Sequence, residues 1–291
     1  MSFLRLRNAG VWEVIKRTAK GFSEHDLSTY AAALAYRALF SIFPFILFLL
    51  ALLGFLHLPD FFDWLRSQAD LLLPPVAMEQ VGPVIDQLQD SQGGLMSFGI
   101  LLALWTASIG VRSLMNAMNR VYAVEESRPS WKLVLLSVAY TVGLAVMLLL
   151  AAGFMTLGPQ VMSWLASQIG MEQMLVTLWT WIRWPLAILL MMLAVALIYY
   201  ATPDVEQGFR FITPGSVVAV IVWLAASIGF GIYVQNFGNY NATYGSIGAI
   251  IVLLLYFYIS AAVLLLGAQL NATIEHASAE GKDVGEKQLE D

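Results

Sequence analysis

Residues 211–274, FITPGSVVAVIVWLAASIGFGIYVQNFGNYNATYGSIGAIIVLLLYFYISAAVLLLGAQLNATI, contain no Asp, Glu, Lys or Arg. A helix needs about 20 apolar residues to cross a bilayer, so this stretch is too long for one crossing and long enough for two. Its middle, residues 235–245, is polar and rich in Gly and Asn, which is typical of a turn. The stretch therefore predicts two membrane-spanning helices, at 211–234 and at 246–270, with Ser246 at the start of the second.

Four more apolar runs of similar length precede this stretch, at 38–58, 93–111, 133–157 and 184–201. We expect Gly158 and Pro159 to end the third of them. The whole chain has 59% hydrophobic residues, 12% charged residues and a mean hydropathy of +0.73. A soluble domain carries about 25% charged residues. The predicted fold is therefore an all-α polytopic membrane protein with about six transmembrane helices.

The basic residues are distributed unevenly between the two sides of the predicted helices. Of the 15 Lys and Arg residues, only Arg66 and Arg183 fall on the side that faces outward. Lys and Arg accumulate on the cytoplasmic side of membrane proteins. The distribution predicts a multi-pass membrane protein with both termini in the cytoplasm.

These patterns divide the chain into three parts: a cytoplasmic amphipathic segment at 1–37, a six-helix membrane domain at 38–274 and a charged, disordered cytoplasmic tail at 275–291. The amphipathic segment has a basic face for the anionic inner leaflet. Its apolar face consists of Val11, Val14, Ile15, Thr18 and Phe22. The outer loop 59–92 is expected to carry short interfacial helices. An aromatic belt at the outer interface is predicted by Trp179, Trp181 and Trp184.

Three predicted helices carry polar residues at helical spacing, and polar groups in lipid usually face the interior of a bundle. These stripes lie on the first, second and sixth helices, with Trp105, Tyr256 and Gly267 in line with them. They can line a substrate pathway or can pair helices, and an arginine near a helix end can also snorkel to lipid phosphates. The candidate pathway residues are Tyr36, Arg37, Ser41, Pro44, Ser108, Arg112, Asn116, Asn119, Ser260, Gln269 and Asn271.

Motifs for catalysis are nearly absent from the sequence. There are no cysteines, and the three histidines, His25, His57 and His276, lie in different segments. Clustered His, Asp or Glu would be needed for a metal centre. We therefore predict no enzymatic activity, no metal and no cofactor. The expected partners are membrane lipids and a lipid or small-molecule substrate, without nucleic acid; the oligomeric state is left open.

Several segments also resemble the YihY/BrkB family of bacterial inner-membrane proteins. They are AAALAYRALFSIFP at 31–44, NAMNRVY at 116–122, YNATYGSIG at 240–248 and LGAQLNA at 266–272. The resemblance implies a six-helix inner-membrane protein of a kind often described as a transporter, with one relative linked to export of lipopolysaccharide or lipid. Some members carry the name ribonuclease BN, which is widely regarded as a mislabel. Many relatives have Glu where this chain has Gln269, which argues against proton coupling at that position.

The sequence thus favours a transporter or a protein that translocates a lipid or envelope component, with a polar interior that faces the cytoplasm. The alternative is a membrane scaffold or envelope-assembly factor that transports nothing; a ribonuclease is not expected. The two main hypotheses differ in what the polar stripes contact. Transport predicts a cavity lined by them, whereas a scaffold predicts that they are used in hydrogen bonds between helices.

Overall fold

A computed structural model describes residues 10–55, 95–169, 172–208, 211–236, 238–277 and 285–287. Every regular element in these ranges is an α-helix, in agreement with the predicted fold class. The predicted outer loop and His57 lie outside the described residues. The helices are α1 (Val11–Glu24), α2 (Leu27–Phe55), α3 (Leu95–Val121), α4 (Ser130–Ile169), α5 (Glu172–Ala201), α6 (Pro214–Asn236) and α7 (Gly238–Ala277).

Six helices in the described ranges are long and apolar enough to cross a membrane, which confirms the predicted number. Their large apolar side chains are exposed on the outside of the bundle. Ile221 and Ile228 of α6, for example, are 60% and 68% exposed, as expected for a surface that meets lipid. The candidate spans are Leu27–Leu49, Ile100–Val121, Ser130–Phe154, Thr177–Ala201, Pro214–Val234 and Ile250–Ala277.

Gly158 and Pro159 do not break the third helix as predicted, because α4 continues to Ile169; its candidate membrane span ends before them, at Phe154. Gly158 has a packing role instead. The indole ring of Trp179 in α5 occupies the space that a Cβ atom at Gly158 would need. The glycine therefore allows α5 to approach α4 closely.

The turn between the last two spans is much shorter than predicted. Helix α6 ends at Asn236 and α7 begins at Gly238, so Ser246 lies within α7 and does not start it. The polar composition of 235–245 indicated a loop, and these residues do lie between the candidate spans, which end at Val234 and begin at Ile250; most of them are nevertheless helical. Helix α2 also extends further than its predicted span and begins at Leu27, since residues 27–37 are rich in good helix formers.

Helix α7 is the centre of the bundle and packs against α1, α2 and α6. Helix α2 also packs along α3, while α4 packs against α3 and α5. The main core cluster lies where α2 begins and where α3 and α7 end. It contains many alanines, which bring the helix axes close together. The members contributed by these three helices include Leu27, Ala31, Ala117, Met118, Val121, Leu265, Ala268 and Ala272.

The tail is held against the bundle at residues 285–287. The Nζ atom of Lys287 donates a hydrogen bond of 2.7 Å to Oδ2 of Asp204, in the connector between α5 and α6. The backbone N–H of Glu206 donates to the carbonyl oxygen of Lys287 at 2.8 Å. For these residues the prediction of a disordered tail is wrong. Their partner, Asp204, is 83 residues away along the chain, so the spacing of residues in the tail could not reveal the contact.

Candidate functional site

A cluster of polar side chains joins the connectors at the end of the bundle where α3 finishes. We call it the loop cluster; it consists of Asn119, Glu126, Arg128, Asp204 and Lys287. Asn119 Nδ2 donates to Glu126 Oε2 at 2.9 Å, and the amide of Asp204 donates to Asn119 Oδ1 at 2.7 Å. Arg128 Nε donates to Glu126 Oε1 at 2.6 Å and lies 3.6 Å from Asp204 Oδ1. Asn119 therefore links the connector between α3 and α4 to the connector between α5 and α6.

Both carboxylates of the loop cluster stay ionised at neutral pH. Burial alone would raise the pKa of Asp204, but hydrogen bonds from Lys287 and Ser127 and the charge of Lys287 lower it to about 2. Burial likewise opposes the shift at Glu126, where hydrogen bonds from Arg128 and Asn119 lower the pKa. The loop cluster is thus a network of ion pairs in which the described carboxylates already have partners.

Asn271 of α7 caps the N-terminus of α6. Its Oδ1 accepts the N–H of Gly215 at 2.8 Å, and its Nδ2 donates to Thr213 Oγ1 at 2.9 Å. Thr213 and Ser216 also exchange side-chain-to-backbone bonds across the first turn of α6, an N-terminal capping arrangement. The four backbone N–H groups at a helix start need such partners, especially in lipid. This candidate residue therefore has a structural role.

The other polar residues of α7 are also used in contacts between helices. Ser260 Oγ accepts the indole N–H of Trp223 at 3.0 Å. Gln269 is buried, and its Oε1 accepts a hydrogen bond from Nδ1 of His25, 3.0 Å away at the end of α1. Gly21 of α1 lies against the same amide. The α7 stripe thus fastens α6 and α1 to the centre of the bundle.

A groove between α2 and α3 has a volume of about 440 Å³. Three of the candidate pathway residues, Tyr36, Arg37 and Ser41, lie along it. Tyr36 and Phe40 are 59% and 60% exposed, so the groove opens on the outer surface of the bundle. The structure therefore brings the polar stripe of α2 to a lateral groove. The lining residues are Ala33, Tyr36, Arg37, Phe40, Ser41, Thr106 and Ile109.

The stripe on α3 is divided among different surroundings. Ser108 is buried and donates to the carbonyl of Trp105 in its own helix at 2.6 Å. The guanidinium of Arg112 lies over the ring of Trp105, 5.0 Å from its centroid. Asn116 is exposed. Pro44 lies inside α2, one turn beyond the groove. The described contacts of Ser108 and Arg112 are thus separate from those of Asn271 and Gln269.

Comparison with known proteins gives a family for this arrangement. The sequence profile of the family described as virulence factor BrkB matches residues 18–290. The chain belongs to this BrkB family. The resemblance inferred from the motifs at 31–44 and 240–248 is thereby confirmed, and the chain is a membrane protein of that family.

Several relatives of this BrkB-family protein are similar along most of its length. A Bacillus subtilis protein named ribonuclease-like protein YfkH is 34% identical over 89% of this chain and 94% of its own length. A UPF0761 membrane protein from Xanthomonas oryzae is 27% identical over 87% of this chain, as is one from Xanthomonas campestris. The chain spans only 58% of the length of these two Xanthomonas proteins. No solved structure matches the chain.

The name of YfkH raises the question of a ribonuclease site in this BrkB-family protein. Within the described parts of the chain, no group of three or more His, Asp or Glu side chains is placed to hold a metal ion. The word ribonuclease-like describes that relative. For this chain, the absence of enzymatic activity stays a prediction.

The residues that sequence reasoning missed are those of the connectors and of the end of α1. Glu126, Arg128 and Asp204 were not singled out, nor was the contact of His25 with Gln269. One signal was available: charged residues are scarce in this chain, yet six of them stand in the two short connectors at 122–129 and 202–213. Their pairing depends on contacts between segments 74 to 85 residues apart, which spacing within one helix does not reveal.

Proposed function

We propose that this BrkB-family protein translocates a lipid or lipid-linked envelope component across the bacterial inner membrane, and that the α2–α3 groove is where the amphiphile enters. The observation that carries the proposal is the groove itself. It opens sideways, on the surface that would contact lipid, and it is lined by apolar residues together with Arg37 and Ser41. Its volume of about 440 Å³ lies in the range of ligand pockets, about 300–1,000 Å³.

The proposal includes an orientation with both termini in the cytoplasm. Among the 15 Lys and Arg residues, all but Arg66 and Arg183 belong to the segments assigned to that side. Helix α1 supports the assignment. Its Val14, Thr18 and Gly21 are buried, and the helix packs against α7. Val11, Trp12 and Ile15 remain exposed beside Lys16, a combination suited to the headgroups of an anionic leaflet.

Single introduced cysteines test the orientation, because the chain contains no cysteine of its own. A membrane-impermeant thiol reagent added to intact cells with a permeabilised outer membrane should label positions 75 and 240. Positions 125, 206 and 285 should react only after the inner membrane is opened. Labelling of position 240 from the cytoplasmic side would overturn the six-helix arrangement.

Reconstitution into vesicles tests the translocation. Fluorescent phospholipids in the inner leaflet become accessible to an impermeant quencher only when they cross the bilayer, so the purified protein should speed quenching relative to empty vesicles. Thr106→Trp fills the groove and should abolish this effect. Ile228→Trp, on the lipid-exposed face of α6, is the matched control and should retain it. Equal quenching by the two variants, or no acceleration by the wild type, would contradict the proposal.

A scaffold is the second candidate, and the α7 stripe favours it. Ser260, Gln269 and Asn271 are all used in hydrogen bonds between helices, as expected when polar residues serve assembly. A scaffold should move no lipid. Under this hypothesis, Thr106→Trp would restore envelope integrity as well as the wild type in cells that lack the protein, because the groove would have no role.

A further inference from the structure

The α2–α3 groove contains a cation, Arg37, for which the described residues provide no anionic partner. The described ion pairs involve Arg17, Lys20, Arg128 and Lys287. Arg112 lies over Trp105. Arg37 lines the groove, and in the described part of the chain it takes part in no ion pair. A guanidinium beside apolar surfaces is best satisfied by an anion that accepts two parallel hydrogen bonds, as carboxylates and phosphates do.

The depth of Arg37 in the membrane indicates which anion it meets. Helix α2 has 29 residues and is longer than one crossing needs; its candidate span by composition, Leu27–Leu49, includes Arg37. The part of α2 without charged residues, 38–55, gives about 27 Å of helix at 1.5 Å per residue, close to the roughly 30 Å of a hydrocarbon core. If these residues cross the hydrocarbon, Arg37 stands at its boundary, where lipid phosphates lie. The exposed phenol of Tyr36 beside it suits the same interface.

The order of groups along the groove follows the order of groups in a glycerophospholipid. Ser41 lies one helical turn deeper than Arg37, a rise of about 6 Å. At that level the Oγ of Ser41 lies close to Gly110 of α3. Ile109 and Thr106 extend the lining further, and the hydroxyl of Thr106 is turned to its own helix, donating to Leu102 O at 2.8 Å. A cation, then a hydroxyl, then an apolar wall suit a phosphate, an ester and an acyl chain.

We infer that Arg37 binds the phosphate of an anionic phospholipid whose ester lies at Ser41 and whose acyl chain occupies the α2–α3 groove. The class is anionic because no Asp or Glu is present among the described lining residues. The ammonium group of a zwitterionic headgroup would therefore have no partner there. The inference rests on the proposed function only for what happens to the lipid after it binds. The site would bind lipid whether or not the lipid then crosses the bilayer.

Native mass spectrometry of the delipidated, purified protein tests the inference. Titration with phosphatidylglycerol and with phosphatidylethanolamine should show at least about tenfold tighter binding of the first. Arg37→Gln should lose about tenfold in affinity for phosphatidylglycerol, the effect of one charge-assisted contact. Arg37→Lys should retain part of it as a point charge. Arg112→Gln, an arginine on the neighbouring helix that does not line the groove, is the control and should bind as the wild type.

Other outcomes would overturn the inference. Equal binding of the two lipids, or unchanged binding by Arg37→Gln, would do so. Displacement by an equal concentration of glycerol phosphate would point to a soluble phosphate ester and not to a lipid. If Arg37→Gln fails to fold, Thr106→Trp provides the second test, since it keeps Arg37 and fills the acyl part of the groove; retained binding by that variant contradicts the site.

Lipid binding and vesicle quenching, both measured on the wild type and on Arg37→Gln, distinguish failure of this inference from failure of the proposed function. Binding of phosphatidylglycerol that depends on Arg37, without any acceleration of quenching in vesicles, would overturn translocation and leave the site standing. Acceleration that is the same for the wild type and Arg37→Gln, together with unselective binding, would overturn the site and leave translocation standing.

Discussion

The stripes of polar residues on α2 and α7 have similar spacing and opposite surroundings. On α7, Ser260, Gln269 and Asn271 each contact a side chain or backbone group of another helix. On α2, Arg37 and Ser41 line a groove that opens outward. The comparison shows that spacing identifies the face of a helix that carries polar groups, whereas the position of the helix in the bundle decides whether those groups hold the fold or remain available to a ligand.

The position of each helix explains the difference. Helix α7 packs against α1, α2 and α6, and Gln269 is buried in that packing, so its amide must be paired within the protein. Helix α2 has one face on α3 and α7 and another on the outside. Four predictions test this contrast, from the largest expected effect to the smallest.

The largest effect is expected at Gly215, where α6 touches α7. A Cβ atom there would collide with the backbone carbonyl of Gly267 and with Asn271. Gly215→Val should lower the free energy of unfolding by about 3 kcal/mol or more, because backbone atoms cannot move aside. Gly229→Val, on the same helix with open space around it, is the control and shares the same change in helix propensity. Thermal unfolding in detergent measures both, and similar midpoints would contradict the close contact.

Asn271→Ala should be the next most damaging change. It leaves the N–H of Gly215 without its acceptor at the start of α6. An unsatisfied group of this kind costs about 2 kcal/mol. The matched control is Asn116→Ala, an exposed asparagine on α3, for which the change should stay within about 0.5 kcal/mol. Equal losses in thermal unfolding would show that the cap on α6 adds nothing.

The loop cluster should make stability depend on acid. Because the pKa of Asp204 is about 2 in the folded protein and 3.8 ordinarily, its ion pair stabilises the fold fully above about pH 5. This contribution is lost as the pH falls from about 4 to about 2. Screening at the partly exposed Lys287 limits it to about 1 to 2 kcal/mol.

Unfolding midpoints measured between pH 6 and pH 2 check this prediction, because this range includes both the ordinary and the lowered pKa of Asp204. Asp204→Asn should be less stable at neutral pH and should lose most of the acid dependence in that window. Lys287→Ala should remove part of it. An unchanged acid profile in Asp204→Asn would show that the connectors are not held by this carboxylate.

The smallest effect on stability is expected at Arg37. In the groove it has no described ionic partner to lose, so Arg37→Gln should change the free energy of unfolding by less than about 0.5 kcal/mol. Arg128→Gln should cost at least about 1.5 kcal/mol, because it removes bonds to Glu126 and to the carbonyl of Thr202. A large loss for Arg37→Gln would place Arg37 with the residues that hold the fold.

The spans were predictable from the sequence because lipid imposes a simple condition. A long apolar run must become a helix, and its composition alone reveals it. The ends of the helices were less predictable. Gly and Pro at 158–159 and the polar residues at 235–245 are typical of loops in water, yet α4 and α7 continue through them. Both stretches lie outside the candidate spans, so hydropathy located the crossings but not the ends of the helices, which extend beyond them.

The distinction between groove and cap was not predictable from the sequence. Arg37 and Asn271 looked equivalent because each belongs to a polar stripe, and their partners are far away along the chain. Asn271 meets Gly215 across 56 residues, and His25 meets Gln269 across 244. Such pairs follow from packing, which depends on all the helices together.

The contact of Gly215 with Gly267 has a mechanical consequence. Two helices whose backbones are in contact cannot slide past each other by a small amount without a collision. We therefore expect α6 and α7 to move as one rigid unit. Helix α5 packs far less extensively on α6. A change of shape in the bundle would therefore concentrate its shear at the boundary between α5 and α6. The connector at that boundary carries Asp204, so its ion pairs with Arg128 and Lys287 lie where the two parts of the bundle would move relative to each other.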